Sequence, residues 1–425
     1  MNINILLINA LLYIVILLYF LRKKGLTIYT MLWFEFAIIA FLGYYTFEVG
    51  IYEDTFGTKR LSDLTMLPYL FVLFGYIIAF EPFRNISTHL DTTIPYRKYT
   101  NFLLYLYIIV MTAYLILKIV EASVAVQYGL ADTKNLGGDE GVSLFDYSDN
   151  IFLRRLNTVR YLFQVPLTPF IVAYCVQCWQ RRERTLMTII LMVLCFLPDI
   201  FASVSRGGRA GIFVAFMNIL FFAILYLRQI PARVKKVGLI GIAGFLILAG
   251  SYSLAITEDR FQKADSPITP VLRYFGEAFP NFGFNYYGKL RAHTNGGFHF
   301  GGVTGDYKKH RIESLGDAQK FYSIKTGVPM QNFKTYWGGM YIEFGEIGAF
   351  VFIIVYALII KFLITPRLTI YNMCFLYFYF RQMTIAFAAG VKTGSLIPIL
   401  AIFIASFCIK KFYFNSNEIL EKTTL

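Results

Sequence analysis

This sequence predicts an all-α, polytopic membrane protein, and three observations carry that prediction. Of 425 residues, 57% are hydrophobic and only 16% charged, with a mean hydropathy of +0.56; ordinary soluble domains carry about 25% charged residues. Apolar runs recur along the chain, each near the length of about 20 residues that spans a hydrocarbon core of about 30 Å. The connections between these runs alternate between basic and nearly free of basic residues, as loops on the two sides of a membrane do.

Eleven spans are expected, at 3–21, 26–48, 63–81, 101–126, 161–179, 185–203, 210–228, 237–256, 339–362, 368–389 and 396–410. The first ends in Arg22-Lys23-Lys24 with no small-residue cleavage site, so it is expected to stay as a helix rather than be removed as a signal. The connections after the first, third, fifth, seventh and ninth spans are basic, as in Arg181-Arg182 with Arg184, and the tail adds Lys410, Lys411 and Lys422. The short connections on the other side hold only Lys59, Arg60, Arg206, Arg209 and Lys392. This asymmetry assigns the basic side to the cytoplasm, with the N-terminus outside and the C-terminus inside. Two longer connections, 127–160 and 257–338, then fall on the extracytoplasmic side; loops of that length are largely exempt from the charge rule. Residues 1–425 read as a single transmembrane domain with one long extracytoplasmic loop, and no internal repeat is visible. Chemistry is therefore expected at the outer face, in the loops and the helix ends beneath them.

The net charge of +14 does not mark a nucleic-acid partner, because most basic residues flank apolar runs and set topology there. The five cysteines, Cys175, Cys178, Cys195, Cys374 and Cys408, lie within or at the ends of spans, which implies no disulfide framework. Cys175 and Cys178 form a CxxC pattern, but no second ligand pair accompanies it, and small cysteines are ordinary in membrane helices.

Three stretches carry possible chemistry. The first is SVSRGGRAG, 203–211, at the outer end of a helical hairpin. Gly207-Gly208 permits a sharp turn, and a helix starting at 210–212 aims its free N–H groups outward. With Arg206 and Arg209 beside them, these donors make an anion site suited to phosphate. A charged turn that only marks the interface is the plainer alternative. Asp199, one to two turns below, is placed to orient Arg206.

The second stretch is RYFGEAFPNFGFNYYGKLRAH, 273–293, which holds Arg273, Glu277, Lys289, Arg291 and His293 among aromatic residues. Rings beside charged and amide groups suit a sugar surface; the alternative is an interfacial helix whose rings form a headgroup belt. The third is QNFKTYWGGMYIEFGEIGAF, 331–350, at the start of the ninth span. Glu343 and Glu346 lie three apart on one helical side, as a base or as ion partners for an arginine. Within the spans, Lys118 and Glu121 are one turn apart and can pair, whereas Arg381 and Glu35 need partners or a polar cavity. There is no P-loop, HExxH or GxSxG, and the outer loops show no DxD-type acidic pair; GGDEG at 137–141 is an isolated acidic turn. A transferase built this way would hold phosphate with arginines, and neither a metal nor a cofactor is expected.

Ser203-Val204-Ser205-Arg206-Gly207 between two central spans, followed two spans later by a loop of about 80 residues, is one part of a family pattern. The loop closes with Asn332, Phe333, Thr335, Tyr341, Glu343, Phe344, Gly345 and Gly348 in an N-F-x-T…Y-x-[DE]-F-G-x-x-G run. In this layout the chain resembles the bacterial O-antigen polymerase, or oligosaccharide repeat-unit polymerase, family. The family often has Asp where this chain has Glu343, and eleven spans is at the low end for it. The resemblance implies a fold similar to membrane-embedded glycosyltransferases and O-antigen ligases. It also implies work at the outer face of the bacterial inner membrane on undecaprenyl-diphosphate-linked oligosaccharide. The glycan moves onto the sugar end of another lipid-linked repeat unit, undecaprenyl diphosphate leaves, and the product is a surface polysaccharide such as lipopolysaccharide or capsule. The partners implied are that lipid-linked substrate, the bilayer and a chain-length regulator.

On this reading Arg206, Arg209, Arg273 and Arg291 bind the diphosphate, and Glu277, His293 and Glu343 are the candidate bases for the acceptor hydroxyl. A direct displacement with inversion is expected. Two alternatives remain beside it: a ligase-like transferase that differs in acceptor, and, from another class, a flippase or other transporter of the lipid-linked glycan. A transporter is expected to show repeats and a charged midplane path; here the charges cluster at one face.

Overall fold

The computed structural model describes residues 4–51, 63–86, 98–129, 150–208, 210–260, 268–312, 315–330, 335–364, 368–370, 372–386 and 402–407. Among them the regular structure is helical. The long helices of the first part are α1 (Ile5–Lys24), α2 (Ile28–Glu48), α3 (Leu67–Phe80), α4 (Lys98–Tyr128), α5 (Ile151–Arg181), α6 (Thr185–Val204), α7 (Ala210–Leu225) and α8 (Ala232–Arg260). Shorter helices follow, among them α9 (Thr269–Gly276), α10 (Ala278–Asn281), α11 (Gly297–Thr304) and α12 (Leu315–Thr326). Then come α13 (Tyr336–Ile364) and α14 (Met373–Thr384). Five stretches, Ile5–Lys24, Ile28–Glu48, Thr100–Tyr128, Leu186–Val204 and Tyr336–Ile364, are long and apolar enough to cross a membrane. Leu67–Phe83 and Gly211–Leu225 are apolar but shorter. The chain is thus a helical, multi-pass membrane protein by length and composition; the fuller count of eleven crossings rests on the hydropathy pattern.

Local sequence explains the first hairpin. The Asn4 side chain accepts from the backbone of Leu6 and Leu7, capping α1. Thr27 and Thr30 cap α2 reciprocally, each side chain accepting the other's backbone N–H at 3.2 and 2.8 Å. At the far end Asn4 Nδ2 donates to Glu48 Oε2 at 3.0 Å, so the start of α1 and the end of α2 share one end of the bundle. We call this the loop end.

Two packed groups make up the body. In one, α1 lies on α2 and α3 on α13; in the other, α4, α5 and α6 pack on one another, α7 on α6, and α14 on α5 and α7. The first is filled by rings: Tyr13 against Trp33 at 5.9 Å, Phe36 against Tyr76 at 4.1 Å, and Tyr76 against Trp337 at 5.9 Å. In the second, Lys118 Nζ sits 2.7 and 2.6 Å from the two carboxylate oxygens of Glu121, the pair expected from their spacing. Cys175, Cys178, Cys195 and Cys374 are buried in the core and not joined in disulfides. At the end opposite the loops, Glu81 takes Arg84 at 3.3 Å and Lys361 at 3.4 Å, tying two basic connections together.

The expected long loop is not confined to the surface. α9, α10 and a π-helical stretch, Phe282–Tyr286, run on nearly without interruption as a loop helix. It enters the first helix group: Phe279 meets Tyr13 at 5.4 Å and Phe282 meets Phe71 at 6.1 Å. A Cβ on Gly276 would stand 2.7 Å from the Leu42 carbonyl, so only glycine lets α9 lie this close to α2. Phe279, Phe282, Phe284 and Tyr286 are core residues, not the exposed sugar surface or headgroup belt expected of 273–293. Irregular helix at that depth is tolerable because neighbouring protein, not lipid, surrounds it.

Candidate functional site

The expected site residues fall into two groups, bridged by the loop helix. The first lies at the turn between α6 and α7. Gly207 has φ +56°, and Gly208 N–H closes the turn on the Ser203 carbonyl at 2.8 Å. The Ser203 hydroxyl donates to Gly208 O at 2.8 Å and accepts from Gly211 N–H at 3.2 Å. One of the outward N–H groups expected to hold an anion is therefore already bound. The Arg206 side chain is exposed. Arg209 lies outside the described residues. Asp199 does not meet Arg206: its carboxylate binds Arg381 of α14 at 3.2 Å.

Phe213 of α7 packs on Phe275 of α9 at 5.5 Å, which brings the loop helix to this turn. Arg273 and Glu277 are one turn apart on it, with Nε to Oε2 at 4.0 Å. Asn281 Nδ2 donates to Glu277 Oε1 at 3.4 Å, and Asn285 donates in turn to Asn281, so a polar ladder runs down one side of the loop helix. Burial pushes the Glu277 carboxyl above its ordinary range, and the Arg273 charge pulls it partly back. Such a group binds its proton more tightly folded than unfolded, so its stabilising contribution is present at acid pH and lost as pH rises through the raised value. Glu277→Gln is accordingly expected to unfold at a higher temperature than the parent at neutral pH. The two proteins should converge as pH falls below the ordinary carboxyl value of 4.5. Thermal unfolding of both proteins across that window checks this; a parent that gains on the variant with rising pH would contradict it.

The second group is built on a break in α13. Gly345 has φ +71° and ψ −171°, which divides the helix into Tyr336–Phe344 and Glu346–Ile364. Carbonyls left without helical partners there are capped by the loop: Thr294 N–H donates to Ile342 O at 3.0 Å and Asn295 N–H to Glu343 O at 2.9 Å. The break also overturns the expected pairing of acids on one helical side. Glu343 turns inward and is fully buried, whereas Glu346 is exposed and accepts from the Tyr287 hydroxyl at 2.5 Å.

No arginine meets Glu343. Its Oε1 lies 2.6 Å from His299 Nδ1 and accepts the His299 backbone N–H at 2.5 Å, while Oε2 accepts the Thr294 hydroxyl. With a Nδ1 hydrogen on the carboxylate, the basic nitrogen of a neutral His299 is Nε2. That edge of the ring faces Gly339, where a Cβ would stand 3.4 Å from Nε2. α11 is braced by Tyr307, whose hydroxyl donates to Phe298 O at 2.6 Å. Burial and the nearby Glu343 carboxylate both raise the pKa of that hydroxyl.

His293 does not touch Glu343 through its ring. It stands edge-on to Tyr341 at 5.7 Å, with Nε2 3.2 Å from where a Cβ on Gly345 would be, and its buried Nδ1 has no hydrogen-bond partner. Arg291 is exposed, its backbone N–H bound to Thr326 O at 2.8 Å and its stem folded over Gly327. The polar partner of Glu343 that the sequence did not single out is His299. The available signal was the second of three histidines in the 257–338 loop, in a glycine-rich stretch, GGFHFGG. Among the described residues no three His, Cys, Asp or Glu side chains gather as a metal site requires.

Comparison with protein-family models, with curated proteins and with solved structures finds no match for this chain.

Proposed function

We propose that this chain is a membrane glycosyltransferase that polymerises undecaprenyl-diphosphate-linked oligosaccharide repeat units at the outer face of the bacterial inner membrane. The observation that carries the reading is the buried Glu343–His299–Thr294 cluster at a helix break, at the same end of the bundle as the arginine turn. A carboxylate that fixes an imidazole through Nδ1 leaves Nε2 to accept a proton, which suits a base for a sugar hydroxyl. His299 accordingly joins Glu277 and His293 as a candidate base, with Glu343 as its positioning residue.

The reaction has few requirements. The acceptor oxygen loses its proton to the base and bonds the anomeric carbon of the donor, while the bond from that carbon to the diphosphate oxygen breaks. The diphosphate leaves with the electron pair, and the anomeric configuration inverts. Arg206 with Arg209 at the turn, and Arg273 on the loop helix, are the cations that hold the leaving charge, which is where much of the stabilisation in such transfers arises. Arg291 is the weaker candidate, since its stem lies against Gly327. The eleven crossings, the outside N-terminus and a chain-length regulator as partner belong to this same proposal.

Arg206→Ala and Arg209→Ala test the proposal in the native host, with surface glycan read as a gel ladder and membrane level checked in parallel. Single-repeat glycan without a ladder, at normal protein level, is the expected result. An unchanged ladder would reduce the turn to a charged hairpin. Loss of all glycan, single repeats included, would favour a transporter or ligase.

A further inference from the structure

α2 carries a carboxyl group that the glycosyl-transfer reading does not use. Glu35 lies inside this membrane-spanning helix with 7% of its surface exposed, and among the described residues neither carboxylate oxygen has a hydrogen-bond partner. Among the described residues the other acids buried in the helices are bonded: Glu121 to Lys118, Asp199 to Arg381 and Glu343 to His299.

Among the described residues the elements around α2 supply no cation for it. α7 and α10 carry no ionisable side chain. On α9 the cation is Arg273, beside Glu277, and on α14 it is Arg381, which is held by Asp199 and lies over the Tyr377 ring. The basic residues of α1 are at its far end, where Lys24 reaches Asn85 at 2.9 Å. Tyrosines pack on this part of α2: Phe36 meets Tyr76 at 4.1 Å and Trp33 meets Tyr13 at 5.9 Å. The Tyr76 hydroxyl is bound to Ala386 O at 3.0 Å, as Tyr379 is to Ala79 O at 2.8 Å. The Tyr13 hydroxyl and both amide atoms of Asn9 are, like Glu35, buried without partners. Glu35, Ile39, Leu42 and Thr46 share one face of α2 at helical spacing, and Gly276 of the loop helix rests on Leu42 and Thr46. Glu35 is thus on the face of α2 that continues beneath the loop helix.

We propose that Glu35 is a proton-binding site inside the helix bundle, a carboxyl group held neutral beneath the loop helix and able to release its proton only when water reaches it. A carboxylate without a cation or donor is far costlier to bury than a carboxylic acid, so the proton is the ligand that satisfies this position. The inference is independent of glycosyl transfer.

The test uses the full-length protein reconstituted in vesicles and the apolar reagent dicyclohexylcarbodiimide. A protonated carboxyl adds to it: the carboxyl oxygen bonds the central carbon, the proton moves to nitrogen, and an acyl shift leaves a stable acylurea. Peptide mass spectrometry is expected to find the adduct on Glu35, with less than about twofold change in yield between about pH 6 and pH 8, where an ordinary carboxyl loses its proton about tenfold per unit. The infrared difference between the parent and Glu35→Gln at pH 8 is expected to contain the carbonyl band of a protonated acid. A tenfold fall in adduct per pH unit, carboxylate bands in the infrared difference, or protection of Glu35 by sodium ions would overturn the proposal, the last in favour of a cation site.

Discussion

Glu343→Gln is expected to reduce polymer formation by about 10²- to 10⁴-fold, the range that belongs to a positioned acid–base group. The substitution keeps the side-chain shape but removes the charge that holds the His299 ring at 2.6 Å. His299→Gln is expected to lose activity over the same range. The double variant should be little worse than either single one, because residues that act as a unit are far from additive. The loss should fall on kcat with KM nearly unchanged, since neither side chain is assigned a share in holding the lipid-linked donor. A structural role alone would instead lower the amount of folded protein and leave the turnover of what remains unaltered. Membrane level and turnover per molecule, measured on the same preparations, separate the two.

Gly345→Ala is the second large effect. Glycine alone occupies φ +71°, ψ −171° readily, and placing another residue in that region costs of order 1–3 kcal/mol. The added Cβ would also press on the His293 ring at 3.2 Å. The expected outcome is a lower unfolding temperature together with loss of polymer. If alanine restored a continuous helix instead, the Ile342 and Glu343 carbonyls would be taken back by the helix, and Thr294 and Asn295 would lose their acceptors. Hydrogen exchange at those two amides distinguishes the cases: exchange close to the parent's is expected of a strained break that persists, and markedly faster exchange would mean that the helix has closed.

Much of this architecture was legible from residue pattern alone. Runs of about 20 apolar residues lead directly to helices, because a membrane-spanning segment must satisfy its backbone internally. The Lys118–Glu121 pair was equally legible, as both members sit one turn apart on one helix. The turn at 203–211 was legible because glycine and serine act locally there. Four features depended on tertiary placement and were not. Asp199 pairs with Arg381, 182 residues away, rather than with the nearby arginine the sequence offered. Glu343 and Glu346 were read as sharing a helical side, but Gly345 interrupts the helix between them, a use of glycine that spacing alone does not reveal. The aromatic stretch at 273–293 looked like surface because it lies between charged residues, yet its rings are what seat the loop helix among α1, α2 and α3. His299 follows from the same cause: its importance comes from meeting Glu343 across 44 positions.

The most direct test of the central claim is reconstitution of the purified full chain in vesicles with an undecaprenyl-diphosphate-linked repeat unit and no other protein. The expected result is a ladder of glycans that grows with time, inverted configuration at each new linkage, and one undecaprenyl diphosphate released per bond formed. Substrate that crosses the bilayer unchanged, with no new glycosidic bond and no released diphosphate, would contradict it and make the chain a transporter.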